Sequence, residues 1–192
     1  VLAPIAEYPE IQFSLKMRLG WENASECMVL IELLNALRLS RIALHARTGK
    51  QQYKGHPDLE AFQGFYELCQ HPLYYNGGIE SLSDIRQILI RFPLLKGVFI
   101  GRGLLSSPLL AKEFKGNETF LPEQRMSIYF AFHEELFSAY SQVLQGETQL
   151  LVKMKTLWEY FLPETDRKLL KRIKKSTRLQ QYTESVKAIF TS

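Results

Sequence analysis

Cysteine is nearly absent. The 192 residues contain two, Cys27 and Cys69. Two are too few for a disulfide framework or a cysteine-ligated zinc site, and no metal ligand set is expected. A reducing compartment, the cytoplasm, is the default setting. Long apolar runs are missing too. The longest, 28–34 and 94–100, contain Glu32 and Lys96, well short of the roughly 18 apolar residues a membrane span needs. No membrane role is expected. The start, Val1-Leu2-Ala3-Pro4, lacks a basic n-region and a cleavage pattern, so no signal peptide is expected. It also lacks an initiator Met, so the chain reads as processed, trimmed or partial. What is present suits a folded protein: 46% apolar and 12% aromatic residues exclude disorder along the whole chain.

The formal charge of +4 is unevenly spread. Residues 1–148 carry 14 Lys/Arg against 16 Asp/Glu, a net of −2, and residues 149–192 carry 10 against 4, a net of +6. The segment from Asp166 to Lys175 keeps Leu169, Leu170 and Ile173 apolar among six basic residues. One stripe can therefore bury itself while a basic face stays wet. That face is either an ordinary solvated surface or a contact for nucleic acid or anionic membrane.

The first hundred residues alternate strand and helix patterns. Strands are expected at 12–18, 41–45, 72–75 and 97–100. Helices are expected at 26–37, at 58–69 and from a capping-box start at Ser81-Leu82-Ser83-Asp84 to Arg91. The strands end near residues 16, 45, 76 and 101, at intervals of 29, 31 and 25, the size of a βα unit. This predicts four βα units with a parallel sheet. No strand signal follows residue 101. Helices are expected at 124–144, 149–161, 164–175 and 179–190, the first closed by Gly146 and the second stopped by Pro163.

In βα folds, ligands bind outside the carboxyl ends of the strands. Here those ends are polar: Lys16-Met17-Arg18-Leu19-Gly20, His45-Ala46-Arg47, Asn76-Gly77-Gly78 and Gly101-Arg102-Gly103. Two Gly-rich turns at consecutive strand ends, one with Arg102, suit an anion such as phosphate. Singly, Lys16 reads as a snorkelling lysine and His45 as a structural histidine. Together with the glycine turns they describe a phosphorylated-cofactor site. The loop 45–55 carries Arg47, Lys50, Lys54 and Tyr53, a set suited to an RNA backbone and a stacked base, or else to a solvated loop.

Four motifs come in order: Lys-Met-Arg-Leu-Gly-Trp (16–21), His-Ala-Arg-Thr-Gly-Lys-Gln-Gln-Tyr-Lys-Gly (45–55), Asn-Gly-Gly-Ile (76–79) and Gly-Val-Phe-Ile-Gly-Arg-Gly (97–103). With Leu-Trp-Glu-Tyr (157–160) and the basic run after it, the chain resembles the second half of a tRNA-dihydrouridine synthase. The resemblance implies an α/β fold: strands five to eight of a TIM (βα)8 barrel over residues 1–118, then an all-α helical-bundle domain binding tRNA over 119–192. It implies FMN as cofactor and NADPH as reductant. Lys16 would lie near flavin N1 and O2 and favour the anionic reduced form. His45 would line the FMN site, and Asn76, Gly77, Gly78, Gly101 and Arg102 would hold the ribityl phosphate. Hydride would pass from flavin N5 to uracil C6 while a general acid protonates C5, on a uridine drawn out of its stack. RNA contacts would come from Arg47, Lys50, Tyr53, Lys54, Lys153, Lys155, Arg167, Lys171, Arg172, Lys174 and Lys175.

The family's general acid is a Cys in an Asn-x-Gly-Cys-Pro-like motif after the fourth strand, and this sequence has no such motif. Neither Cys27 nor Cys69 matches it, so no catalytic residue is assigned. Four strands with two open edges are a poor isolated solution, and the chain reads as a fragment lacking the catalytic Cys half. Residues 1–8 read as the remains of the helix before strand five. Two other readings stay open: a non-catalytic RNA-binding module, and a different FMN barrel acting on a small molecule.

Overall fold

The computed structural model describes Tyr8 and residues 10–191. The expected helix remnant at 1–8 therefore lies, Tyr8 apart, outside the described residues. The chain divides into two compact units, 1–101 and 102–192.

The first unit runs β1 (Phe13–Gly20), α1 (Glu26–Val29), α2 (Ile31–Asn35), β2 (Leu39–Thr48), α3 (Leu59–Leu68), β3 (Leu73–Asn76), α4 (Leu82–Arg91) and β4 (Gly97–Phe99). The strands form one parallel sheet in the order β1-β2-β3-β4. This is the alternating α/β pattern expected from the sequence. Helix starts follow local chemistry. Asp58 accepts from Ala61 N at 2.9 Å. Ser81 and Asp84 form the expected capping box. Helices α3 and α4 cover one sheet face: Phe62 meets Tyr75 edge-on at 4.9 Å and Phe92 at 5.0 Å. Phe62, Phe65, Tyr75 and Phe92 are all buried, each stabilising the unit by about 1.5–3 kcal/mol.

Two departures from expectation matter. The helix expected at 26–37 is two short pieces broken at Leu30, whose N–H bonds back to Cys27 O at 3.2 Å. That is a tightened turn, with no Gly or Pro to announce it. Strands β1 and β2 also outrun their expected ends. Pairing continues through Arg18↔His45 and, past a register shift, Gly20↔Thr48.

Among its described residues the second unit is entirely helical: α5 (Arg102–Ser106), α6 (Leu110–Gly116), α7 (Pro122–Val143), α8 (Glu147–Leu157), α9 (Arg167–Lys175) and α10 (Leu179–Phe190). Helix α8 stops before residue 161 because the N–H groups of Trp158, Glu159 and Tyr160 turn back to i−3 carbonyls. Met154, Trp158, Phe161, Ile173, Tyr182 and Val186 centre its core. A polar hub lies inside it. Tyr182 Oη is 2.9 Å from Trp158 Nε1 and 2.7 Å from His133 Nε2. Buried Glu113 is ion-paired with Arg125.

Candidate functional site

Strand alternation and register set out the rim of the first unit. Odd positions of β1, with Ile42, Leu44, Leu73 and Tyr75, face the core. The opposite face carries two rows. Lys16, Ala43, Tyr74 and Gly97 form one, and Arg18, His45, Asn76 and Phe99 form the row nearer the strands' carboxyl ends. The structure thus brings Lys16, His45 and Asn76 onto one face from three strands. Lys16 is exposed, and its side chain makes no hydrogen bond or ion pair among the described residues.

His45 is buried, and its Nε2 lies 3.2 Å from Arg47 Nη1. Arginine only donates, so Nε2 accepts and the ring proton sits on Nδ1. Arg47 is buried as well, and its Nη2 donates to Gly55 O at 3.0 Å. It holds the 48–55 loop from below. Asn76 Nδ2 donates to Phe99 O at 2.8 Å, tying the ends of β3 and β4 together. The next two residues have positive φ, +136° at Gly77 and +60° at Gly78. A Cβ at Gly77 would stand 3.2 Å from the His45 ring, and one at Gly78 would stand 2.9 Å from Pro57. Only glycine fits this turn, and it leaves backbone N–H groups open to close approach. Gly101 is exposed and ends the first unit, and Arg102 begins α5 in the second.

Sequence reasoning left Arg18 out of the site. Its Nη1 donates to Thr48 O at 2.8 Å and to Gln52 O at 3.0 Å, and its guanidinium lies 5.7 Å from the Tyr53 ring centre. Two residues after Lys16, it shares that face; the i, i+2 spacing was the signal available in the sequence. Tyr53, Lys50 and Lys54 are exposed on the loop, and Lys50 pairs with Glu22 at 2.5 Å. The cysteines stand elsewhere. Cys27 lies on α1 and Cys69 just after α3, and burial pushes both thiols up.

The second unit presents its basic residues on α9. Asp166 caps the helix through Lys168 N and Leu169 N. Ile173 is buried, while Arg167, Lys171, Arg172, Lys174 and Lys175 are exposed. Lys168, Lys171, Arg172 and Lys175 line one side of a cleft of about 410 Å³ whose other side is α10. Lys153 is exposed over the Tyr140 ring, and Lys155 donates to Ser176 O at 2.8 Å. Among the described residues no helix is long and apolar enough to cross a membrane.

The chain is 35% identical over 100 residues to a probable tRNA-dihydrouridine synthase of Rhizobium leguminosarum bv. phaseoli, covering 52% of this chain and 31% of that protein. It is 34% identical over 105 residues to a probable tRNA-dihydrouridine synthase of Aquifex aeolicus, covering 55% and 33%. It is 28% identical over 110 residues to the tRNA-dihydrouridine(16) synthase of Escherichia coli, covering 57% and 35%. The aligned part is thus about a third of each of these relatives. A model of the family described as Dihydrouridine synthase (Dus) matches residues 5–191. With nearly its whole length matched and its polar residues gathered at parallel strand ends, the chain belongs to the dihydrouridine synthase family.

Proposed function

We propose that this chain forms the second half of the flavin barrel and the tRNA-gripping helical domain of a tRNA-dihydrouridine synthase. The observation that carries the reading is the rim itself: Lys16, His45 and the Gly77–Gly78 turn on one face of a parallel sheet. The four strands are read as strands five to eight of a (βα)8 barrel within residues 1–118, with the tRNA-binding domain over 119–192.

The residues fit part of an FMN site. The positive-φ turn that a Cβ would fill suits a phosphate approached by backbone N–H groups, and Gly101, at the end of the same unit, would extend that cradle. Asn76 would keep it in shape by its bond to β4. Lys16 would place its cation against the flavin ring and His45 would line it, held by Arg47. Bound FMN would supply the hydride chemistry that saturates a uridine, and NADPH would restore it. Lys16 has no competing anion among the described residues, so its charge can stabilise negative charge on a ligand. No residue here is assigned as general acid.

The RNA contacts would divide between the loop (Lys50, Tyr53, Lys54) and the basic helical face (Arg167, Lys171, Arg172, Lys174, Lys175, with Lys153). Arg47 and Lys155 would act from beneath, since each bonds within its own unit. The chain is expected to quench flavin fluorescence when titrated with FMN and to bind unmodified tRNA with affinity falling steeply with salt. Binding neither refutes the reading. Binding tRNA alone selects the second reading, a non-catalytic RNA-binding module, which the placement of both cysteines away from the rim favours.

A further inference from the structure

Trp21 stands out among the aromatic residues of the first unit. It is 65% exposed, whereas Trp158, the chain's other tryptophan, is 2% exposed in the core of the second unit. A single exposed apolar side chain is ordinary; Trp21 differs in lying against a loop that carries a second exposed aromatic, Tyr53. Trp21 is held in place. Its N–H donates to Glu26 Oε2 at 2.8 Å, and its carbonyl accepts from Lys50 N at 2.9 Å. Glu26 also accepts from the N–H groups of Glu22 and Asn23. These backbone hydrogen bonds hold its carboxyl below the usual range, so the clasp persists at neutral pH. The six-membered ring of the indole lies against Gly49, where an added Cβ would overlap it.

The surroundings are charged and aromatic, with Glu22 and Glu26 close by and Lys50 ion-paired with Glu22. Lys50 follows Gly49, Lys54 lies on the same loop, and Tyr53, 60% exposed, has the Arg18 guanidinium at its ring. An exposed aromatic ring beside lysines is an arrangement that binds unpaired bases: stacking holds the base and the cations hold its phosphates. A lipid surface would ask for a broader apolar patch than one indole.

We propose that the exposed Trp21 indole is a stacking platform for an unpaired RNA base, a contact distinct from Tyr53. This rests on the RNA-binding reading above. Trp21 is a binding residue here, and Gly49 and Glu26 are the residues that position it.

The two tryptophans make the test direct. The unaltered chain is titrated with unmodified tRNA and with oligouridylate while tryptophan emission and iodide quenching are followed. The Trp21→Phe variant supplies the Trp158 baseline. The expected result is that RNA lowers the Trp21 emission and shields it from iodide. Trp21→Ala is expected to bind about ten- to thirtyfold more weakly, with Trp21→Phe retaining most of the affinity. RNA that binds while Trp21 stays open to iodide overturns the inference alone. A chain that binds no RNA overturns the RNA reading and the inference with it. Because shielding is read on the unaltered chain, loss of fold in Trp21→Ala does not blunt the test.

Discussion

Replacing Tyr182 with Phe deletes one oxygen from the middle of the second unit and leaves its shape intact. Tyr182, Trp158 and His133 are 0%, 2% and 1% exposed. Tryptophan only donates, so Tyr182 Oη accepts from Trp158 Nε1 at 2.9 Å. Its own proton then goes to His133 Nε2 at 2.7 Å. That leaves the imidazole proton on Nδ1, where Glu134 Oε1 accepts it at 3.1 Å. This assignment satisfies every donor in the chain of bonds. Tyr182→Phe removes the acceptor of one buried donor and the donor of one buried acceptor. Each of the two orphaned groups costs about 1–3 kcal/mol, so the variant is expected to lose about 2–6 kcal/mol. Urea unfolding followed by tryptophan fluorescence should show a lowered midpoint with an unchanged slope. Adding His133→Leu removes one orphan, so the double variant should be more stable than the sum of its parts by at least about 1 kcal/mol. A Tyr182→Phe loss below about 0.5 kcal/mol, the level of an ordinary surface change, would refute the argument that this oxygen holds the core.

Burial lowers the His133 pKa, with Glu134 opposing the shift, so the unfolded chain binds a proton first. Its stability contribution is complete above the unfolded value near 6.5 and is lost as pH falls toward the folded value, at no more than about 1.4 kcal/mol per pH unit. Melting curves from pH 8 to 5 should show this decline, and His133→Gln should flatten it. Gly78→Ala meets Pro57 at a positive φ and should cost about 1–3 kcal/mol together with FMN affinity. Gly101→Ala meets nothing within 4 Å, so an unchanged melting temperature with weakened FMN quenching would isolate a phosphate contact there. Replacing Lys171 or Arg172 with Ala should lower the salt slope of tRNA binding by about one unit for each phosphate the side chain neutralises; an unchanged slope removes that side chain from the interface.

What could be read from the sequence was what local chemistry decides. Ser81 and Asp84 announced the capping box, and Leu179–Phe190 matches its expected span because its burial stripe is continuous. Helices α5 and α6 were not foreseen, since five and seven residues offer too short a pattern. The rim glycines were legible because the turn needs them. The Arg47–His45 contact, the Arg18 bonds to the 48–55 loop and the Tyr182 hub were not. Tyr182 meets partners 24 and 49 positions away, and no local pattern encodes such pairings.

Each strand of the sheet pairs with its neighbour in sequence, and this bears on how the unit assembles. Paired residues such as Lys16 and Ala43, Ile42 and Leu73, or Tyr74 and Gly97 lie 27, 31 and 23 positions apart. Closing loops of those lengths differs by only about 0.3 kcal/mol. No step is entropically favoured over another, so the order of assembly is left to the order in which the chain leaves the ribosome. These four strands can therefore join one at a time in chain order, each arrival docking on a strand already formed.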